Sequence, residues 1–352
     1  MRALMSSTSA LFCTLITSCL LTACSKTPDP TKIEGFAQST TYHLTFILPN
    51  AQDQAAITQE VTAELKRIDA SISNYRKDST IELFNAQLDT EPHEVNDEIV
   101  TLVEYARTIS KASGGCYDLT IKPLFELWGF KKDVFHLPSD EELQQTLQLI
   151  GMDKLITVDA THLQKTLPNL RVDLSSIGQG YSVERLANLL ESHNVTSYIV
   201  EIGGELKVRG KKTDGTPWRI AMEKPISNER KVEKIAIFET GEAMSINPSG
   251  TYHHYFDNNG KRYSHILDAR TGKPIEHDTV VANAFIASST LADAWSTALL
   301  CLGSDAGIKV ADENNIAALF VDQIGDQLIE KKSKAMDKLT SVKLEEPEIV
   351  KE

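Results

Sequence analysis

Near the C-terminal end, Leu291-Ala-Asp293-Ala-Trp-Ser-Thr297-Ala-Leu-Leu300 sets a carboxylate and a hydroxyl four residues apart in an apolar run. On a helix these positions share one face one turn apart, so their oxygens can hold a hard, oxygen-seeking cation such as Mg²⁺, with Ser296 as a further contact. Upstream lies Tyr263-Ser-His265-Ile-Leu-Asp268-Ala-Arg270-Thr271-Gly272. An imidazole, with an ordinary pKa of about 6.5, suits proton transfer near neutral pH. His265 is therefore the candidate base, and Asp268 either orients it or contacts a phosphate. Blander readings exist. Thr290 to Asp293 also fits a capping box at a helix start, and Thr297 can bond back to the Asp293 carbonyl. A histidine in a strand is more often packed or hydrogen-bonded than catalytic.

Four further segments carry polar groups at informative spacings. Tyr75 to Asn85 is an aromatic followed by a capping-type helix start, as an ordinary loop and N-cap would be. In Gly114-Gly115-Cys116-Tyr117-Asp118-Leu119-Thr120, Asp118 and Thr120 fall on one side if the piece is extended, which points two polar groups into one pocket. Val172 to Glu184 reads as a strand end, a small-residue turn and a helix start, whose backbone N–H groups can cradle an anion. It lacks the third glycine of a dinucleotide fingerprint, and no P-loop occurs in the chain. The Gly203-Gly204 pair marks a bulge or tight turn between strands and lets a flat ligand approach the backbone.

The N-terminus carries Arg2, an apolar run from Ala10 to Ala23, and Leu21-Thr22-Ala23-Cys24 at its close. The run is short and rich in Ser and Thr for a membrane span, and small residues before a cysteine suit cleavage with lipidation of Cys24. A secretory signal ending in a lipobox is the reading, with an uncleaved anchor or a plain signal peptide as alternatives. Such a leader places the protein on the periplasmic side of a bacterial membrane. Ser25 points to the outer membrane, with the inner membrane as the alternative. Of five cysteines, Cys13 and Cys19 leave with the signal and Cys24 takes the lipid. Cys116 and Cys301 remain, able to pair only if the fold joins them; Cys301 reads as a small buried hydrophobe. The formal charge of −13, with no basic cluster in the body, excludes nucleic acid as a partner. An acidic protein that handles a phosphorylated ligand needs backbone N–H groups or a bound cation to hold it.

These groups must be positioned by a mixed set of elements. Helical spacing runs through Ala55–Ser71 and Asp97–Ser113, and a helix opened near Gly180 continues to His193. Short β-rich segments cover Tyr42–Leu48, Ser197–Glu201, Glu205–Arg209, Trp218–Glu223, Lys234–Phe238 and Val280–Ala287. Hairpin-like strands beside separate helices predict an α+β fold, a single bilobed domain of mainly antiparallel sheets with flanking helices. The expected division is a signal peptide over 1–23, a linker over 24–33, one domain over 34–329 and a charged tail over 330–352. The tail, dense in Lys and Glu, reads as a frayed helix or disordered.

Taken in order, the segments resemble the ApbE family, the periplasmic FAD:protein FMN transferases. The resemblance runs from about Gln38 to Gly303. Its anchors are Tyr75–Asn85, Asp118-x-Thr120-x-x-Pro123-Leu124 with Trp128-Gly129-Phe130, Asp173-Leu174 to Gly180-Tyr181, Gly203-Gly204, Ser249-Gly250-x-Tyr252, Ser264-His265-Ile266-x-Asp268 with Thr271-Gly272, and Ala292-Asp293 to Thr297. Three departures stand out. Gln179 replaces a lysine able to neutralise phosphate, Ala269 replaces the proline of a rigid turn, and Gln38-Ser39-Thr40 replaces Met-Gly-Thr.

The resemblance implies that FAD is the substrate, that Mg²⁺ is the cofactor, and that FMN is transferred to a Thr or Ser hydroxyl of a partner protein with release of AMP. It adds a third protein ligand, the Gly178 carbonyl, to Asp293 and Thr297. For flavin and adenosine it points to Gln38, Tyr75, Cys116, Tyr117, Asp118, Ser176, Tyr181, Gly203, Gly204 and Ile266. The acceptor it implies is a periplasm-facing subunit of an electron-transfer complex, such as the sodium-pumping NADH:quinone oxidoreductase or its relatives. Two rivals use the same site: an FAD pyrophosphatase giving FMN and AMP, and a non-catalytic FAD-binding lipoprotein.

Overall fold

The computed structural model describes residues 29–49, 53–225, 232–252 and 254–347. The leader, Cys24 and the first linker residues lie outside the described residues. Among those described, no helix is long and apolar enough to cross a membrane.

Strands β1 (Thr31–Ala37) and β2 (Thr40–Phe46) pair antiparallel. Gln38 and Ser39 turn between them with φ of 51° and 63°, the left-handed pair that matches the twist of a two-residue hairpin. Helix α1 (Gln54–Ile72) buries Ile57, Val61, Leu65, Ile68 and Ile72, a stripe at helical period. Helix α2 (Thr80–Ala86) starts at Ser79, whose hydroxyl accepts the Glu82 N–H. Strand β3 (Pro92–Glu94) precedes α3 (Asp97–Ala112), capped by Asn96. After a 3₁₀ turn, α4 (Lys122–Trp128) stops at Gly129, which takes φ 87°. Helix α5 (Asp140–Leu147) opens on a Ser139–Glu142 capping box, and β4 (Leu155–Thr157) and β5 (His162–Lys165) join β3 in a small sheet.

Helix α6 (Ser175–Ser192) leads into β6 (Tyr198–Ile202) and β7 (Glu205–Arg209). Next come β8 (Arg219–Glu223), β9 (Val232–Phe238) and β10 (Met244–Gly250). Two small hairpins follow: β11 (Tyr255–Asn258) with β12 (Lys261–Ser264), and β13 (Leu267–Asp268) with β14 (Lys273–Pro274). Strand β15 (Thr279–Ile286) enters α7 (Ser289–Glu313), which bends at Gly303. The chain closes through β16 (Ala317–Ile324), β17 (Gln327–Lys332), α8 (Lys334–Asp337) and β18 (Val342–Glu345).

An eight-stranded sheet in the order β1-β2-β6-β7-β10-β15-β16-β17 is the frame, and every neighbouring pair in it is antiparallel. One face packs on helices: Leu186 and Leu190 of α6 meet Val200 and Ile202, while Ala298 and Leu299 of α7 meet Ala282 and Ala284. On the other face Leu206 and Val208 pack with Trp218, Phe238 and Val342 under the sheet β18-β9-β8. This is the α+β class read from the sequence. The tail is a correction. Residues 330–346 are not a frayed helix or disordered: β17 completes the large sheet, β18 pairs with β9, and Met336 and Val342 are buried. Edge strands carry Lys and Glu on their wet face, which made the composition resemble that of a disordered segment.

Candidate active site

Two helices build the centre. Ser288 caps α7 by accepting the Leu291 N–H, so the Thr290–Asp293 capping box that the sequence allowed does not form and Asp293 falls in the second turn. Its carboxylate instead crosses to α6, where Oδ2 accepts the Gly180 N–H at 2.8 Å. Only a glycine permits that approach: a Cβ on Gly180 would lie 2.4 Å from the Ser289 carbonyl oxygen and 2.5 Å from the Asp293 Cβ. The back-bond to the Asp293 carbonyl is made by Ser296 at 2.8 Å, not by Thr297. Thr297 Oγ1 lies 3.2 Å from Ser249 Oγ of β10, which also meets Ser296 Oγ at 2.8 Å.

Burial sets the electrostatics here. It pushes the Asp293 carboxyl up to about 7, against the pull of the Gly180 N–H. Glu205, at the start of β7, is raised well above the ordinary range by burial and then by the charge of Asp293. Its Oε2 has no hydrogen-bond partner. Among the described residues, no Lys or Arg pairs with either carboxylate. Such groups are stable in a dry site only when protonated or when matched by a cation. Two carboxylates and the Thr297 hydroxyl are hard oxygens, a donor set that fits Mg²⁺ and not a thiophilic metal.

Asp293, Thr297 and Glu205 open onto a cavity of about 990 Å³, at the upper end of the roughly 300–1,000 Å³ typical of small-molecule sites. Tyr75 stands at its mouth, 77% exposed, offering an aromatic face for stacking. Carboxylates crowd the lining. Its one described ammonium or guanidinium group, Lys234, is already held by Glu330 at 3.0 Å and by Glu346. A pyrophosphate entering this cavity therefore needs backbone N–H groups or bound cations to offset its charge.

His265 reaches the cavity from between β12 and β13. Its Nδ1 lies 2.8 Å from the His254 carbonyl oxygen, and the two imidazole rings stack at 5.4 Å. A carbonyl can only accept, so Nδ1 carries the proton and Nε2 is the basic nitrogen. Asp268 is gripped instead by Arg270 at 2.7 Å. The orientation of His265 thus comes from a backbone carbonyl.

The ApbE family model matches residues 39–320. The FAD:protein FMN transferase of Haemophilus influenzae is 36% identical, with 92% of this chain and 95% of that protein aligned. The chain belongs to the ApbE family. The FAD:protein FMN transferase of Vibrio cholerae is also 36% identical, over 87% of this chain and 92% of its own length. The apo flavinyl transferase ApbE of Pseudomonas stutzeri superposes with a TM-score of 0.80 at 36% identity, covering 88% of this chain and 96% of that one.

Within this ApbE fold the residues singled out from sequence divide into two groups. Tyr75, Cys116, Tyr117, Asp118, Ser176, Gly203, Gly204, His265, Ile266, Asp293 and Thr297 all line the cavity. Gln38, Gly178, Tyr181, Asp268 and Ser296 are not part of its wall. Gln38 Nε2 donates to Ser182 Oγ at 2.6 Å, and the Tyr181 hydroxyl is bound to Glu98, so both are turned towards helix packing. The Gly178 carbonyl, inside α6, accepts the Ser182 hydroxyl at 2.8 Å on top of its helical bond from the Ser182 N–H, so that hydroxyl must turn away before the oxygen can meet a cation.

Two local expectations fail. Leu119–Ile121 is a 3₁₀ turn and not extended: Asp118 Oδ1 accepts the Thr120 N–H and hydroxyl, and Thr120 is fully buried. Ser175–Gly180 form the first turns of α6, not a loop before it, and the Asp173 carboxylate takes the Ser175 N–H at 2.9 Å. Cys116 and Cys301 form a disulfide, so Cys301 is not merely a small hydrophobe; the bond ties the segment after α3 to α7 beside the cavity. Glu205 and Ser249 line the cavity too, without standing out in the sequence as site residues. Only an acid directly after a Gly-Gly turn hinted at the first.

Proposed function

We propose that the chain transfers FMN from FAD to a hydroxyl of a partner protein, with a divalent cation held at the crossing of α6 and α7. The observation that carries this reading is the buried pair Asp293 and Glu205, with which no described Lys or Arg pairs, facing a large acidic cavity that also presents His265. Asp293 and Thr297 would hold Mg²⁺, joined by the Gly178 carbonyl, with Ser296 supporting the turn. Bound there, Mg²⁺ would neutralise the phosphate oxygens of FAD, the requirement for displacement at phosphorus.

The residues do the rest. His265 Nε2 takes the proton of the acceptor hydroxyl, while the His254 carbonyl holds its tautomer. The hydroxyl oxygen attacks the phosphorus of the FMN half, the bond to the adenosine-bearing phosphate breaks, and AMP leaves. Tyr75 supplies a stacking face, and the Gly203-Gly204 turn, with φ of 63° and 110°, presents backbone to the ligand. Gln179, where relatives of the family commonly carry a lysine, lies against Gly203 with no charge to offer. Cation dependence should therefore be strict in this chain.

Cys24 is proposed as the lipid-bearing residue, placing the enzyme on the periplasmic side of a bacterial membrane, with Ser25 favouring the outer one. Periplasm-facing subunits of electron-transfer complexes are the proposed acceptors. The test is chromatography of the products from FAD and Mg²⁺, with and without a peptide bearing the D-x-[ST]-x-x-T pattern. AMP formed only when the acceptor is present supports transfer. AMP and free FMN in its absence indicate a pyrophosphatase, and unchanged FAD a binding protein.

A further inference from the structure

Glu205 takes no part in the transfer steps, yet the fold fixes its carboxylate at the centre. Along β7, Leu206 and Val208 face the apolar cluster beneath β8 and β9, so Glu205 and Lys207 face α6 and α7. The Lys207 ammonium is taken by Glu184 at 2.6 Å, and the other Glu184 oxygen accepts the Ser289 N–H at 2.7 Å. Ser245 pairs with Lys207, and that register carried onward sets Asn247 beside Glu205. Asn247 donates to the Ser289 carbonyl at 3.1 Å. This strand face therefore abuts the first turn of α7, one turn before Asp293.

Among the described residues, Lys207 on that face is matched and Glu205 is not. Glu205 is 8% exposed, its Oε2 is unpartnered, and it opens onto the cavity shared with Asp293 and Thr297. The neighbouring ammonium groups are committed, Lys207 to Glu184 and Lys234 to Glu330 and Glu346. A carboxylate in this setting either keeps its proton or takes positive charge from outside the chain, and its opening onto the cavity beside Asp293 and Thr297 favours the second. We infer that Glu205 is a further oxygen donor of the divalent-cation centre, binding the ion or one of its waters alongside Asp293 and Thr297. The inference rests on the cation reading of Asp293. Because Glu205 comes from the sheet and Asp293 from α7, the centre would bridge the two layers of the fold.

Mn²⁺, observed by the loss of its free electron paramagnetic resonance signal, tests this on the full chain without FAD. Wild type, Glu205→Gln, Glu205→Asp and Asp293→Asn are compared. The expected result is a Kd raised at least tenfold by Glu205→Gln, less by Glu205→Asp, and binding lost in Asp293→Asn. Metal-free Glu205→Gln should melt no lower than wild type, whereas removal of a structural carboxylate would lower Tm. A wild-type Kd in Glu205→Gln alongside lost binding in Asp293→Asn would overturn the inference and spare the Asp293 site. A wild-type protein that takes up no Mn²⁺ would overturn both.

Discussion

Asp293 carries a prediction in which stability and activity move in opposite directions. Asp293→Asn removes a buried charge but keeps an acceptor for the Gly180 N–H, so the metal-free protein should melt no lower than wild type. FMN transfer should fall about 10³-fold, the loss of several kcal/mol of charge stabilisation. A variant that unfolds while still binding Mg²⁺ would return Asp293 to a packing role. His265→Ala should leave the Kd for FAD within about twofold and reduce turnover by about 10²–10⁴, as equilibrium titration and initial rates would report. The helical spacing put Asp293 and Thr297 on one face as a hard-oxygen pair, whereas His265 stood out through the family resemblance of Ser264-His265-Ile266-x-Asp268 more than through its neighbours. Glu205 was not legible, because Gly-Gly-Glu reads as a turn and only the fold shows that no lysine reaches the carboxylate. Asp118 misled for a related reason: the same spacing that pairs side chains on a strand lets an aspartate cap a 3₁₀ turn.

At the scale of elements, the crossing of α6 and α7 depends on Gly180. Gly180→Ala forces the helices apart against the Ser289 carbonyl, at a cost of about 1–3 kcal/mol. Thermal melting should register that loss, and Mg²⁺ affinity should fall with it, since the Asp293 turn moves. The disulfide between Cys116 and Cys301 spans 185 residues, and its removal in Cys301→Ser should cost about 2–5 kcal/mol by denaturant unfolding. Several of the longer elements could be read from periodicity, although β1, β10, β16 and β17 of the large sheet were not among them. Ala55–Ser71 against the observed Gln54–Ile72, and Glu205–Arg209 against the same five-residue strand, differ by a residue or none. Their partners could not be read in this way. No local pattern shows that Cys116 meets Cys301, or that the second turn of α6 reaches the second turn of an α7 that begins more than a hundred residues later.

For the whole molecule, pH and the bound cation act on the same reserve of stability. A carboxyl raised on folding binds its proton more tightly in the folded state, so its contribution is full below the unfolded pKa and is lost as pH climbs through the folded value. For Asp293 that window runs from about 4 to about 7. The metal-free protein should lose a few kcal/mol across it relative to Asp293→Asn, and Mg²⁺ should restore the loss above pH 7. Differential scanning calorimetry at stepped pH measures both. The tail belongs to this scale too. Deleting residues 330–352 removes β18 and uncovers the cluster around Phe238 and Trp218, so the truncated chain should melt lower and aggregate. Its charge density hid that role, since a few apolar anchors are enough to seat an edge strand.

FMN transfer joins the cation, the histidine and the acceptor hydroxyl in one reaction. Intact-mass spectrometry of a candidate acceptor, after incubation with the protein and FAD with or without Mg²⁺, reads that reaction in one step. A mass gain of one esterified FMN is expected only when Mg²⁺ is present, and is expected to be absent with Asp293→Asn and with His265→Ala. An acceptor flavinylated equally well by the Asp293→Asn variant, or left unmodified by a wild-type protein that hydrolyses FAD, would contradict it.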